Sequence, residues 1–493
     1  MEFTELYKQS NSALVSYSPD GAFIAVSVEH RLIVRDAQNP KRVHRVCVTP
    51  YDTAPYIEDI QWSPSSTHLL TCSYTHNRVD VWSLSDDKWQ CTITDEVCCI
   101  ERALWTPDSR HILTFSELDL RLSIWSISAT AAGEARRYVQ FPKTPLVAFH
   151  PLGSYMAVAQ RREYRDVVGI YATADWHLVC EIEPRTMDMV GLRWSPDGLH
   201  LAAWDSAATY AVSIMNVCGM FKRVHTRPEG VEGLGVREVA WAPSAQFLAV
   251  GGYDRVVRVL NHLTWSPIAT LVHRAVVQGP VDVFSEVVVG QTLAQSSQAA
   301  LAQQPHLHRR HTRFDLMPTP AQIHVVQPLD IHRAVDPPAS DSASVGPGSS
   351  GNGGGISILE FNADGTLLVS VCDGMPNSLW IWRIRDMRLV AVIQTRGVLR
   401  ACRWSPVESV LGFVTGSASV YLWREGEGCH LFEVPVTAAG VGVGAMTWNP
   451  CGDSMATMSK GLFSLAYLTS AAAEAAAKSS FNGGTAGGED DLE

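Results

Sequence analysis

Residues 241–265 read WAPSAQFLAVGGYDRVVRVLNHLTW, and their pattern decides the fold. Trp241-Ala242-Pro243-Ser244 ends one strand and turns. Phe247-Leu248-Ala249-Val250-Gly251 is a second, mostly apolar run. Gly252-Tyr253-Asp254-Arg255 turns the chain again, and Val256-Val257-Arg258-Val259-Leu260 is a third run, β-branched and apolar. Apolar runs this short, bounded by turn residues, suit strands rather than helices. A weaker fourth run, Ile268-Ala269-Thr270-Leu271, follows. The near-continuous apolar character of the inner runs is what strands packed on both faces require, and burying each Leu, Ile or Val there contributes about 1.5–3 kcal/mol.

The same unit recurs along the chain. Its anchor is an aromatic residue, a spacer, usually Pro, and a turn pair. It appears as YSPDG at Tyr17, WSPSS at Trp62, WTPDS at Trp105, FHPLG at Phe149 and WSPDG at Trp194. It continues as WAPSA at Trp241, FNADG at Phe361, WSPVE at Trp404 and WNPCG at Trp448. Pro presets φ for the first turn position and Asp-Gly tolerates the tight reversal. The nine anchors are spaced 45, 43, 44, 45, 47, 120, 43 and 44 residues apart, so one period is broken by one insertion. A period near 40–45 residues with four strands per unit is the signature of β-propeller blades. The expected fold is all-β, a propeller of about nine four-stranded blades. One ring is favoured over two rings of six and three units, because three units are too few to close.

The expected organisation follows from the anchors. Residues 1–271 hold blades one to six, 272–355 are a largely disordered insertion, 356–469 hold blades seven to nine, and 470–493 are a disordered Ala/Gly-rich acidic tail. After Trp448 only a second and a third strand follow before that tail. Residues 3–8 (FTELYK) alternate apolar and polar and precede the first anchor strand, as a strand that completes blade nine would. Closure in this way protects edges that an open array leaves unpaired. Within the insertion, Gln291 to Gln304 and Ser340 to Gly355 have disordered compositions. Val281-Asp282-Val283-Phe284 and Ile323-His324-Val325-Val326 read as short strands at its ends.

Composition narrows the function. The chain has 493 residues, 46% of them hydrophobic, and a net charge of −11 from 39 basic and 50 acidic side chains. That balance argues against a surface built to hold phosphate backbones. The 11 Cys are scattered without a CxxC pair, the N-terminus lacks an apolar signal core, and no apolar run suits a membrane span. The expectation is reduced thiols of the cytosol or nucleus in a soluble, intracellular protein. Phosphate-cradling, zinc-protease, nucleophile-elbow and dinucleotide motifs are absent, so neither catalysis nor a cofactor is expected. His306, His308 and His311 lack an adjacent Cys or carboxylate and flank Arg309 and Arg310, so no metal site is expected there. Asp119 and Asp254 are read as turn residues. One basic turn stands out as a partner-binding candidate: Arg161, Arg162 and Arg165, with Glu163, Tyr164 and Asp166 between and after them.

Several segments carry a more specific resemblance. Third strands often end in Trp, as in Val79-Asp80-Val81-Trp82 and Val420-Tyr421-Leu422-Trp423, which is similar to WD repeats with the following Asp mostly lost. HRLIVRD at His30, WTPDSRHIL at Trp105, LRLSIWSI at Leu120, APSAQFLAVGGYDRVVRVLNHLTW at Ala242, MPNSLWIWRI at Met375 and GDSMATMSK at Gly452 resemble the centrosomal WD-repeat family of WD repeat protein eight. The resemblance spans nearly all nine units and leaves out the insertion and the tail. It implies a non-enzymatic scaffold at centrosomes, centriolar satellites or spindle poles, linked to spindle assembly and cilium formation. It also implies a coiled-coil microtubule-anchoring partner and, as in fungal members, a minus-end-directed kinesin. The alternative is an RNA- or ribosome-associated propeller like the nine-bladed initiation factors, which a contiguous basic face would favour.

Overall fold

A computed structural model describes the chain except for residues 11–13, 49–56, 96–97, 120, 128–133, 141, 217–220, 227–233, 275, 278–280, 289–311, 317–323, 326–354, 436–441 and 469–493. The His306, His308 and His311 cluster and the acidic tail lie outside the described residues.

The chain forms nine antiparallel blades arranged as one ring. Blade six shows the plan, with Val236–Trp241 innermost, then Phe247–Gly252, Val256–Asn261 and Pro267–Val272 at the rim. These bounds match the strands read from residues 241–265. The buried apolar residues sort into nine clusters, each straddling two consecutive blades, and the ninth joins blade nine to blade one. Nine interfaces for nine blades leave no gap, so a split into six and three units is excluded.

Closure falls to the N-terminal strand. Glu2–Phe3 and Tyr7–Lys8 both pair antiparallel with Leu462–Tyr467, the third strand of blade nine, with Phe3 opposite Ala466 and Tyr7 opposite Phe463. Gln9 Nε2 then donates to Ser459 O at 2.7 Å and Leu462 O at 2.9 Å.

The anchors bond the blades to one another as well as filling the space between them. Each of the six tryptophan anchors donates its indole N–H to a carbonyl on the innermost strand of the preceding blade. Trp62 reaches Ser16 O at 3.0 Å, Trp105 reaches Gln61 O at 3.3 Å and Trp194 reaches Ala148 O at 3.0 Å. Trp241 reaches Arg193 O at 3.3 Å, Trp404 reaches Glu360 O at 3.1 Å and Trp448 reaches Arg403 O at 3.1 Å. The turn that follows each anchor is set locally. In blade five the Leu199 N–H donates to Asp197 Oδ1 at 3.0 Å, and Gly198 has φ +72°, where a Cβ would lie 2.0 Å from His150 Nε2.

Blade seven departs from the plan. Asp282–Val288 pairs in parallel with its outer strand, Arg388–Gln394, and Thr312–Leu316 pairs antiparallel with Asp282–Val288. The sheet therefore has six strands. Composition marked residues 272–355 as mostly disordered with a short strand at Val281–Phe284. The strand is longer than that, and it is an integral part of a blade. A second small ladder joins Val276–Val277 to His324–Val325.

Candidate interaction surfaces

The basic turn of blade four joins Tyr155–Arg162 to Arg165–Ala172 through two residues, Glu163 and Tyr164, both with positive φ of 48° and 66°. Such a turn follows the right-handed twist of the hairpin. It gathers Arg161, Arg162 and Arg165 at one tip. Arg161 Nη1 lies 3.2 Å from both Asp166 and Asp188, and Arg162 Nη1 lies 2.7 Å from Glu181. Asp166 is buried and also accepts from Thr186 Oγ1 at 3.2 Å and the Met189 N–H at 2.5 Å. Arg161 and Asp166 thus tie blade four to the entry of blade five. The outward-facing part of the motif is Tyr164, 93% exposed, with exposed Arg165 beside it. The two exposed pairs, Arg161 with Asp188 and Arg162 with Glu181, contribute about 0–1 kcal/mol each.

Asp254 takes the turn role read for it. It accepts the Val256 N–H at 3.3 Å and pairs with the buried Arg258 guanidinium at 2.6 Å.

At the hub, a cavity of about 540 Å³ is bounded by the innermost strands of blades five to eight. Its charges are mixed. Arg193 meets Glu238 at 2.7 Å and Arg403 meets Glu360 at 3.4 Å. Burial pushes the Glu360 carboxyl above the usual carboxylate range, and Arg403 opposes that shift. Among the described residues no three His, Cys, Asp or Glu side chains gather as metal ligands, and no helix is long and apolar enough to cross a membrane.

The start of the insertion is a buried joint. His273 follows directly on the outer strand of blade six and enters blade seven. Its Nδ1 bonds the Arg255 carbonyl at 3.0 Å, so that nitrogen carries the proton. Nε2 then accepts from Ser370 Oγ at 2.7 Å, and Ser370 accepts the Trp382 indole N–H at 2.8 Å. The rings of Trp380 and Trp382 present faces or edges to it at 5.2 and 5.5 Å. Burial lowers its pKa to about 4, which keeps the imidazole neutral. Farther on, Phe284 packs with Tyr421, Trp423 and Cys429 of blade eight. Glu286 accepts the Tyr421 hydroxyl at 3.1 Å and the Arg396 N–H at 2.8 Å. A Cβ on Gly428, where φ is +90°, would sit 3.2 Å from the Phe284 ring. The insertion therefore spans the rims of blades seven and eight. Sequence reading missed this joint. Its only local signals are a His just past an outer strand and the Val-Asp-Val-Phe run.

Comparison with known proteins agrees with this architecture. The WD domain, G-beta repeat family matches residues 223–261. That unit starts in the outer strand of blade five and ends in the third strand of blade six, the same offset that lets an N-terminal strand close the ring. WD repeat-containing protein WRAP73 of Mus musculus is 31% identical over 474 residues, covering 95% of this chain and 96% of the relative. An uncharacterized WD repeat-containing protein of Schizosaccharomyces pombe is 22% identical over 456 residues, covering 82% of this chain and 77% of that protein. Among solved structures, the C-terminal WD40 domain of Sif2 superposes with a TM-score of 0.50 at 8% identity, covering 95% of this chain and 99% of that one. This last likeness concerns the fold alone.

Proposed function

The chain belongs to the WD-repeat family that includes WRAP73, and on that footing we propose that it is a non-enzymatic protein-interaction scaffold at the centrosome or spindle pole. The observation that carries this reading is the end-to-end relation to that relative, which engages the whole ring rather than one repeat. In this reading the ring anchors microtubules together with a coiled-coil partner, works with a minus-end-directed kinesin, and supports spindle assembly and cilium formation. A rigid ring suits the task because its loops are held at fixed spacing while its blades bear the load of folding. Tyr164 and Arg165 at the tip of blade four, with Arg161 and Arg162 behind them, form one docking point. The charge pattern favours proteins over RNA. A ribosome-bound ring would use a contiguous basic face, whereas Arg161, Arg162, Arg193 and Arg403 each face a carboxylate.

Proximity labelling in cells tests the reading, with the intact chain and with residues 291–309 replaced by a short Gly/Ser linker. This replacement spares His273 and the strand Asp282–Val288. Centrosomal and spindle-pole neighbours are expected, and ribosomal neighbours would overturn the proposal. Replacing Arg161, Arg162 and Arg165 by Glu is expected to weaken partner capture in a pulldown; intact capture removes the blade-four docking point.

A further inference from the structure

The outer strand of a blade ends the sheet in a row of free N–H and C=O groups, which invites another strand to pair. The ring manages these rims blade by blade. Blade two exposes only Gln90, Thr92 and Thr94 along Gln90–Thr94. Blades three, five and eight carry charge in the rim strand, with Arg136 and Arg137 in Glu134–Gln140, Lys222 and Arg223 in Phe221–Thr226, and Glu433 in Gly428–Glu433. Blade four exposes Leu178 and Val179 but sets Glu181 beside them. Blade six starts its rim strand at Pro267, which has no N–H to offer. Blade seven covers its rim with Asp282–Val288, and blade nine breaks its own into Glu2–Phe3 and Tyr7–Lys8.

Blade one uses none of these devices. Its rim strand, Val43–Val48, leaves Val43, Val46 and Val48 exposed by 43, 49 and 47% and contains no proline. The guanidinium of Arg45 is turned away from the edge into blade two. Its nitrogens donate to the Asp86 and Asp87 carbonyls at 3.1 Å, and the side chain is only 9% exposed. The His44 ring leans on Phe23, 4.8 Å between ring centres. Among the described residues no strand pairs with the outer edge of Val43–Val48. At its foot Arg42 is exposed and, among the described residues, makes no ion pair. The neighbouring carboxylates are engaged. Glu5 pairs with Lys41 at 3.0 Å and Asp87 with Arg45 at 3.4 Å, while Asp36 and Asp86 accept N–H groups of their own turns.

We propose that the rim of blade one is a docking edge for an extended segment of a partner protein, rich in β-branched residues and bearing carboxylates, which adds a fifth strand to the blade. The ring already holds one such pairing. In blade seven the rim strand Arg388–Gln394 also begins at an exposed arginine and continues apolar, and the strand that covers it reads DVFSEVV. The chemistry that satisfies the rim of blade seven is the chemistry for which blade one leaves a place. Main-chain bonds supply the affinity, contacts with Val46 and Val48 fix the register, and Arg42 favours an acidic segment.

The proposal rests on the ring as a protein-interaction scaffold and not on where in the cell it works. The probe is fluorescein-labelled VDVFSEVV, the sequence of residues 281–288, titrated by anisotropy against the full chain. Two control peptides carry N-methyl groups on alternate residues, one in each register, so that each loses the donors of one edge. One of the two is expected to bind about tenfold more weakly or worse, the loss of one or two hydrogen bonds. A third control with lysine for both acidic residues is expected to bind about threefold more weakly. Val46→Lys combined with Arg42→Glu, both at exposed positions, is expected to abolish binding of the parent peptide without moving the thermal unfolding midpoint. Undiminished binding by that variant, or equal binding of the parent and both N-methylated peptides, overturns the proposal. So does a dimer in sedimentation velocity that the variant abolishes, which would make a second copy the occupant. Centrosomal neighbours in proximity labelling with failed peptide binding leave the scaffold and remove the docking edge. Ribosomal neighbours with peptide binding intact remove the centrosomal reading and leave the edge standing.

Discussion

Blade six presents Pro267–Val272 as an open rim, with Ile268 47% exposed, whereas the corresponding strand of blade seven, Arg388–Gln394, is covered by Asp282–Val288 and buries Ala391, Val392 and Ile393. The two blades share the lengths of their three inner strands and the position of their anchor. They differ because the chain between them folds back and adds a strand before blade seven begins. An outer strand is an unpaired template for pairing. In blade seven the template is used by the protein itself, and the added strand reaches across to Tyr421 of blade eight. A long insertion into a repeat can thus become part of the next unit instead of hanging from the joint.

The comparison can be broken in four places. The largest expected effect is at Phe284. Phe284→Ala should cost about 3–5 kcal/mol by transfer and cavity loss and should speed proteolysis between residues 282 and 316. Unchanged unfolding and unchanged cleavage would mean that the added strand is not structural. In the unmodified blade, Leu248 is fully buried, and Leu248→Ala should cost on the order of 2–5 kcal/mol. An unaltered urea midpoint would remove it from the core.

The joint between the two blades should respond to pH. The folded pKa of His273 is depressed to about 4 from an ordinary value of 6.5. Between these values the unfolded chain binds the additional proton, so stability is complete above pH 6.5 and is lost as pH falls toward 4. The loss from this one group amounts to at most about 3 kcal/mol. His225, lowered to about 4 by burial and by Arg258 and Arg223, acts in the same direction. His273→Gln should therefore flatten part, not all, of the acid loss in urea titrations at pH 7, 5.5 and 4.5. Parallel pH slopes for the two proteins would contradict the buried neutral imidazole.

The smallest effect is at the anchor. Blade seven uses Phe361 where blade six uses Trp241, so Trp241→Phe copies a solution already present in the ring. It removes the indole bond to Arg193 O, and a loss of about 1 kcal/mol is expected. A loss several times larger would show that the two anchors are not equivalent.

The parts of this protein that were legible in its sequence are those governed by neighbours along the chain. The SPDG-type turns, the apolar runs after them and the Trp-ended third strands each depend on a few adjacent residues. Their period counted the blades correctly. The candidate turn at Arg161, Arg162 and Arg165 was visible for the same reason. Its ion pairs with Asp188 and Glu181 were not, because those carboxylates stand 27 and 19 positions from Arg161 and Arg162 and reach them only through the fold. Nor could the pattern Val-Asp-Val-Phe name its partner, since a short apolar strand pairs with whichever edge the fold leaves open beside it.

By itself, then, the sequence determined a nine-bladed ring, its strand order and its closing strand, because turn chemistry and apolar periodicity are local and repeat. Only the tertiary structure decided where the ring departs from its own repeat. The added strand of blade seven and the neutral His273 at its root both arise from contacts between residues as much as 135 positions apart. Such contacts are set by which edge or groove remains free after the repeats have packed.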